Sequence, residues 1–415
     1  MDRVILHVDA NAFYASVECL YRPNLRNLPV AVAGSQEDRH GIILTKNQLA
    51  KQAGVKTGEA IWEAMQKCPR LVCLPPNYPL YERFSQKMAH ILLQYTNLVE
   101  AFGLDESWLD VSGPKVTMQE GERIADEIRN RIRDELGITV SVGVSWNKVF
   151  AKLGSDLRKP DFTNVISRDN YKEVAWRLPA SDLLYVGPST RKKLATMRIL
   201  SIGDLANAHT GLLDRKFGKI GGLLKAYALG ADITAVHPAD YTSAIKSVGN
   251  SSTPPHDICD FQDARCLLFL LAESVGARLR EIGLRAGCVT VSARSTNLVT
   301  RSKQRVLPQA TALTRDIAQM ALTLMEERFG KDFPYRSMGV SCSHLVPMDT
   351  PVQLDFFGDA EQQIRAERLE ASIDGLRKRF GHQIIQRGIV LADPAYARVN
   401  PKGKHTIHPV SFFVS

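Results

Sequence analysis

The sequence has no apolar run of about 18 residues, so no membrane-spanning helix is expected. Ahead of the first short apolar stretch stand Asp2 and Arg3, with no long signal-type core, and a cytoplasmic protein is expected. Its seven cysteines (Cys19, Cys68, Cys73, Cys259, Cys266, Cys288, Cys342) are odd in number and scattered, and none forms a C-x2-C pair. That argues against both a disulfide framework and a zinc knuckle. Internal repeats and low-complexity tracts are also absent. Acid is the remaining deficit: 44 Asp and Glu face 53 Lys and Arg, giving a net charge of +9. A basic balance favours a polyanionic partner, but a whole-chain average does not separate DNA from RNA or anionic lipid. What is present is globular: 415 residues, 44% hydrophobic and 23% charged, or roughly two to four domains' worth of chain.

Along the chain, Val4 to Val8 reads as a strand closed by Asp9, and Asn11 to Glu18 as a helix. Two short strands, Val30–Ala33 and Ile42–Thr45, and helices near Gln48–Ala53 and Ala60–Lys67 form a small insertion. Phe84, Met88, Ile91, Leu92 and Tyr95 follow a helical period. Val99–Phe102 and Ser107–Val111 flank Gly103-Leu104-Asp105-Glu106, which reads as a hairpin or a strand with an acidic end. Ile124, Ile128, Ile132 and Leu136 recur every four residues until Gly137 stops the helix before a strand at Ile138–Val144. The region therefore reads as a mixed α/β core.

Strand character fades between 166 and 236, where a small helical domain is expected. There Gly187-Pro188-Ser189-Thr190-Arg191 places a glycine turn before a helix whose free N–H groups suit a phosphate, although an ordinary capped helix has the same pattern. Residues 237–256, rich in Pro, Gly, Ser and Thr, read as a linker. A further α/β domain follows to about 345. Its stretch 282–315 has no acidic residue but carries Arg285, Arg294, Arg301, Lys303, Arg305 and Arg315 among Ser and Thr, a pattern that is either a solvated face or a lining for a phosphate backbone. The tail holds Gln353-Leu354-Asp355-Phe356-Phe357 and then an amphipathic helix near Glu361–Phe380.

The chemistry rests on Asp9, Asp105 and Glu106. If neighbouring strands bring them together, crowded carboxylates raise one another's proton affinity unless a hard cation such as Mg2+ or Mn2+ neutralises them. Such a site serves phosphoryl and nucleotidyl transfer. Lys148, Lys152 and Lys159 add cations nearby, and Phe13-Tyr14 puts a ring pair within five residues of Asp9.

Three motifs in order resemble the Y-family, or lesion-bypass, DNA polymerases of bacteria: Asp9 to Glu18, Leu104 to Asp110, and Trp146 to Asp156 with Lys159-Pro160. The resemblance implies a multidomain α/β right hand. Its ferredoxin-like palm would occupy 1–20 and 72–165, its small fingers 21–71, and its helical thumb with a helix-hairpin-helix 166–236. After a linker at 237–256 would come an α/β little finger at 257–345 and a tail at 346–415. The same resemblance implies low-fidelity, template-directed DNA synthesis on a primer-template with deoxynucleoside triphosphates. Asp9, Asp105, Glu106 and the Ala10 carbonyl would hold two Mg2+, with Mn2+ as substitute. Tyr14 would be the gate against ribonucleotides, with Phe13 beneath the sugar and Thr45, Gln48, Lys51 and Lys148 on the triphosphate. Gly187, Ser189, Thr190, Arg191, Arg294, Arg301, Lys303 and Arg305 would hold DNA. Gln353, Leu354, Phe356 and Phe357 would engage the bacterial sliding clamp, and the chain would act as a monomer.

Three positions depart from the family pattern. Gln48 stands where a Tyr is typical, Lys51 where an Arg is typical, and Gly103 where a Ser is usual. The tail resembles the branch of the polymerase V catalytic subunit and the core resembles DNA polymerase IV. Two other readings compete: a non-catalytic or weakly catalytic DNA- and clamp-binding factor, and an RNA-binding phosphoryl-transfer enzyme of another family.

Overall fold

The structure, a computed structural model, describes residues 2–35, 41–330, 332–350 and 360–392. These fall into two compact units. One comprises Ile42–Ser243 together with the residues up to Gly34, and the other runs from Ala244 onward.

The first unit is built on a five-stranded sheet in the order β5–β6–β1–β7–β8. Its strands are β1 (Ile5–Ala10), β5 (Val99–Ala101), β6 (Glu106–Asp110), β7 (Val140–Ser145) and β8 (Thr163–Val165). β1 lies between β6 and β7 and is antiparallel to both. With its helices this is the split βαββαβ arrangement of a ferredoxin-like layer, to which β8 adds one strand parallel to β7. The sequence suggests a strand that ends at Val8. Pairing instead carries β1 through Asp9 to Ala10, all six residues buried, because helices cover both faces and a doubly covered strand need not alternate.

Of these helices, α5 (Met118–Leu136) starts at Thr117, whose side chain accepts from the Glu120 N–H, and stops at Gly137, which takes φ 72° and donates to the Arg133 carbonyl. Its fully buried Ile128 and Ile132 stabilise the layer by about 1.5–3 kcal/mol each. On the other face α6 (Lys148–Leu157) is capped by Asn147, whose side chain accepts from the Phe150 N–H.

The insertion forms a small sheet, β3–β2–β4, from β2 (Val30–Ala33), β3 (Ile43–Lys46) and β4 (Val72–Leu74). α1 (Phe13–Tyr21) leads into it, α2 (Gln48–Gln52) and α3 (Ile61–Lys67) pack with it, and α4 (Tyr78–Leu92) returns to the main layer. A helical cluster follows: α7 (Tyr171–Val174), α8 (Pro188–Thr196), α9 (Ile202–Asn207), α10 (Thr210–Phe217) and α11 (Lys219–Ala228). It is centred on the buried residues Leu194, Ile202, Leu205, Leu213 and Leu224.

The second unit is a four-stranded antiparallel sheet, β11–β10–β12–β9. Its strands are β9 (Ser247–Ser252), β10 (Leu284–Ser295), β11 (Thr300–Thr311) and β12 (Tyr335–Pro347). Val289, Val291 and Ala293 share one core with α12 (Phe261–Glu281) and α13 (Thr314–Phe329). Two expected boundaries need correction. Residues 237–256 are not all linker, because β9 lies inside them and pairs with β12. The domain also extends past 345, since β12 runs to Pro347. The Ser-rich β9 carries little strand propensity of its own, and its pairing partner is about 90 residues away, beyond any local reading.

The tail helix α14 (Ala360–Phe380) is tied to α12: Arg280 pairs with Glu370 and Asp374, and Arg377 with Glu273. The peptide Gln353, Leu354, Phe356 and Phe357 lies outside the described residues.

Candidate active site

Cross-strand register brings the acids together. Asp9 on β1 stands opposite Glu106 on β6, and the Ala10 N–H donates to the Asp105 carbonyl at 3.0 Å. The chain then turns sharply. Asn11 N–H donates to the Thr139 carbonyl, the Asn11 amide donates to Ser141 Oγ at 2.9 Å, and its Oδ1 accepts from the Asp161 N–H. Ala12 is forced to φ 50°, a left-handed conformation that costs an Ala about 1–2 kcal/mol. The turn starts α1 immediately beyond the acids and so sets Phe13 and Tyr14 beside them.

A cavity of about 400 Å3 opens there, with Asp9, Ala10, Phe13 and Asp105 on one side, Thr45, Lys46, Gln48 and Lys51 on another, and Lys159 at its edge. Asn47 fixes the second wall. Its Oδ1 accepts from the Ala50 and Val30 N–H groups, which caps α2 and ties it to β2. Burial is the main cause that lowers the Lys46 ammonium from its ordinary range, and the neighbouring Lys51 charge adds to it. One wall is therefore cationic and the other acidic.

Burial, opposed by Lys159 and aided by Glu106, pushes the Asp9 carboxyl up to about 7. Burial and the Glu106 charge push Asp105 up to about 6. Glu106 is held below the usual carboxylate range: burial acts upward, but the neighbouring His7 ring and Lys152 ammonium outweigh it. Lysines at present meet these charges. Lys159 Nζ lies 2.7 Å from Asp9 Oδ2, and Lys152 grips Glu106. Among the described residues no group of three or more His, Cys, Asp or Glu is gathered closely enough to hold an ion.

Not every anticipated residue lies at this cavity. Lys148 does not line it; its ammonium pairs with Glu100 at 2.6 Å and sits 4.5 Å over the Trp108 ring. The reason is the helix: Lys148 opens α6, which then carries Lys152 to Glu106 and delivers Lys159, just past its end, to Asp9. Glu106 is not in the lining either, and neither is Tyr14. Tyr14 stacks on Tyr81 with centroids 4.2 Å apart, and its hydroxyl is pushed up to about 12 by burial and the nearby Asp105 charge.

Gly187 caps α8, and Ser189 and Arg191 are exposed at its start with Thr190 half-buried. A single 3-10 turn, Ala180–Asp182, precedes that loop instead of a full first helix. In the second unit, Arg301, Lys303 and Arg305 pair across β11 with Ala293, Val291 and Val289, the strand face that α12 and α13 cover. They are engaged with Asp332 and Glu327. The three side chains remain exposed or half-exposed on the helix side of the sheet: period-2 alternation says which residues share a face, not which face a helix covers. Arg294 lies on the opposite face with Ser292 and Thr290. In a salt titration of primer-template binding, Arg294→Ala is expected to weaken affinity and reduce the slope by about 1, and Arg305→Ala to leave the slope unchanged.

Sequence pattern alone did not point to Gly143. It pairs with His7 across β7, and a Cβ there would lie 1.9 Å from the Ala151 carbonyl oxygen and 2.4 Å from the Ser155 nitrogen. α6 therefore rests backbone-on-backbone on the sheet, and this close approach places Lys152 behind Glu106. Gly143→Ala is expected to cost about 3 kcal/mol or more, read as a lower denaturation midpoint, with loss of activity before loss of secondary structure.

The comparisons with known proteins bear on the whole chain. The impB/mucB/samB family matches residues 8–156, and that family's C-terminal domain matches residues 245–356. DNA polymerase IV of Acetivibrio thermocellus is 48% identical over 399 residues, covering 96% of this chain and all of that protein. DNA polymerase IV 1 of Bacillus subtilis is 35% identical, covering 94% and 93%. A solved Y-family DNA polymerase chimera of Dbh and Dpo4 superposes with a TM-score of 0.73 at 24% identity, covering 83% of this chain and 99% of that one, which supports the fold. The fold is therefore that of a multidomain polymerase of palm, fingers, thumb and little finger. The chain belongs to the Y-family DNA polymerases, in the bacterial DNA polymerase IV group. These relatives decide the subfamily, which the tail alone had drawn toward polymerase V.

Proposed function

We propose that Asp9, Asp105, Glu106 and the Ala10 carbonyl form the metal-holding centre of a template-directed, low-fidelity translesion DNA polymerase. One observation carries this reading: Asp9, Ala10 and Asp105 line one wall of a cavity whose other wall is Thr45, Gln48, Lys46 and Lys51, and the β1–β6 register sets Glu106, which is not itself in the lining, opposite Asp9. An all-oxygen donor set with two carboxyls pushed toward neutral pH suits a hard divalent cation. Bound Mg2+, or Mn2+ in its place, would lower the pKa of an attacking hydroxyl and neutralise charge on the departing pyrophosphate. The chain's own groups do the rest. Lys51, Lys46 and Lys159 attract the triphosphate, Thr45 and Gln48 offer it hydrogen bonds, Phe13 floors the sugar, and Tyr14 closes the space a 2'-hydroxyl would need. Because Lys51 is a point charge where a planar guanidinium is usual, it attracts phosphate with less directional control.

The palm is assigned to 1–20 and 72–165, the fingers to 21–71 and the thumb to 166–236, where the exposed start of α8 at Gly187–Arg191 suits a DNA phosphate. The little finger is assigned to the second unit, with Arg294 toward the duplex. Among the described residues no helix is long and apolar enough to cross a membrane. The chain is assigned as a nucleoid-associated monomer. Gln353, Leu354, Phe356 and Phe357 would attach it to the sliding clamp. Replacing Phe356 and Phe357 with Ala is expected to shorten clamp-dependent products by about tenfold while distributive synthesis without clamp is unchanged.

Primer extension tests the central claim. The chain with primer-template and four deoxynucleotides is expected to copy the template with Mg2+ and to stop with chelator. Binding of DNA with no extension in either cation would refute it and favour a recruitment factor.

A further inference from the structure

Behind the acidic wall one polar atom is left over. His7 is fully buried, with its ring tilted against Trp108 at 5.1 Å. Its Nε2 makes no hydrogen bond as placed, yet lies 3.3 Å from Glu106 Oε2. An unpaired buried nitrogen costs about 1–3 kcal/mol, so such atoms are rare. The other ring nitrogen, Nδ1, is 2.9 Å from Ser155 Oγ, and that oxygen is 2.8 Å from the Lys152 carbonyl oxygen.

A hydroxyl has one proton to give. If Ser155 gives it to the Lys152 carbonyl, His7 must donate from Nδ1, and Nε2 is left as a bare lone pair facing a carboxylate. If Ser155 gives it to Nδ1, the ring proton sits on Nε2 and points at Glu106, and both ring nitrogens are satisfied. The Lys152 carbonyl loses little in that case, since α6 supplies it with the helical N–H of Asp156. A neutral imidazole carries one ring proton, and this arrangement puts it where it has an acceptor.

We propose that Ser155 and His7 form a buried relay of positioning residues behind Glu106, in which Ser155 Oγ–H donates to His7 Nδ1 and His7 Nε2–H donates to Glu106 Oε2. With the Lys152 ammonium on the same oxygen, Oε2 is fixed to the protein and Oε1 is left for the divalent cation. The relay is the second layer that metal sites use to orient a ligating carboxylate. It rests on the reading of Glu106 as a metal-holding acid. Its parts share one origin: His7 and Asp9 lie on the same face of β1, and the Gly143 contact lowers α6 until Ser155 and Lys152 reach them.

The test uses the full chain and Mn2+ as the probe, with binding followed by the spin-resonance signal of free Mn2+. Primer extension at graded Mg2+ is run in parallel. His7→Phe keeps a ring but no donor, and is expected to weaken Mn2+ binding and raise the Mg2+ needed for half-maximal rate by about 10-fold or more. His7→Gln restores a donor near Nε2 and is expected to stay within about threefold of the parent, and Ser155→Ala to fall between them. Primer-template affinity should not change. Parental Mn2+ binding in His7→Phe, or equal impairment in His7→Gln and His7→Phe, overturns the proposal. Should His7→Phe fail to fold, Ser155→Ala and nitrogen NMR of His7 in the parent decide: a proton on Nε2 is expected, and one on Nδ1 overturns it. A parent that binds Mn2+ but never extends a primer refutes the polymerase reading, and the relay then stands or falls on Mn2+ binding and NMR alone.

Discussion

Asp105→Ala is expected to reduce primer extension at least about 1,000-fold, because its carboxylate neutralises cation charge where a transferring phosphoryl group develops it. Primer-template affinity, which depends on distant contacts, should fall less than about threefold. The same substitution has a second, opposite effect on stability. The folded-state values of Asp105 and Asp9, about 6 and about 7, lie above the unfolded aspartate value of 3.8. A raised folded pKa means that stability present below about pH 4 is lost as pH rises through the window from about 4 to about 7. In chelator at about pH 8, Asp105→Ala should therefore melt higher than the parent, by on the order of 1 kcal/mol, and the difference should vanish near about pH 3. Added Mg2+ should reverse the order by raising only the parent's melting temperature. If the variant extends primers normally, the cation centre is elsewhere.

Tyr14→Ala is expected to raise the ribonucleotide share of incorporation on the order of 100-fold while deoxynucleotide kcat/KM stays within about tenfold, since a clash rejects only the sugar that carries the extra oxygen. The ring is well placed to be rigid. It stacks on Tyr81 at an 11° interplanar angle, and Tyr81 donates from its hydroxyl to buried Glu18. Truncation also removes that stacking, worth about 0.5–1.5 kcal/mol, so a modest drop in melting temperature should accompany the change. Unchanged sugar selection would move the gate to Phe13, the ring that lines the cavity.

The chain's local patterns gave most of the first unit's elements correctly. The four-residue recurrence of Ile124, Ile128, Ile132 and Leu136 with Gly137 at its end became α5 and its cap, and Gly103 to Asp105 fell in the turn between β5 and β6, with Glu106 opening β6. β9 was hidden because five residues of Ser, Gly and Asn around one Val carry no period, and only its distant partner makes them a strand. That Arg301, Lys303 and Arg305 pair with Asp332 and Glu327 was not legible, because alternation is visible in a sequence while the covering helix is not.

The sequence determined by itself that this is a basic, multidomain α/β chain with the three ordered motifs of a Y-family polymerase, because motif spacing and periodicity are properties of the linear chain. Tertiary structure alone decided that Lys159 and Lys46 reach the cavity while Lys148 does not, and that His7, Ser155 and Gly143 stand behind Glu106. Those contacts join positions up to about 150 residues apart. They depend on how deeply one helix settles on one sheet, a distance set by packing and written in no local pattern.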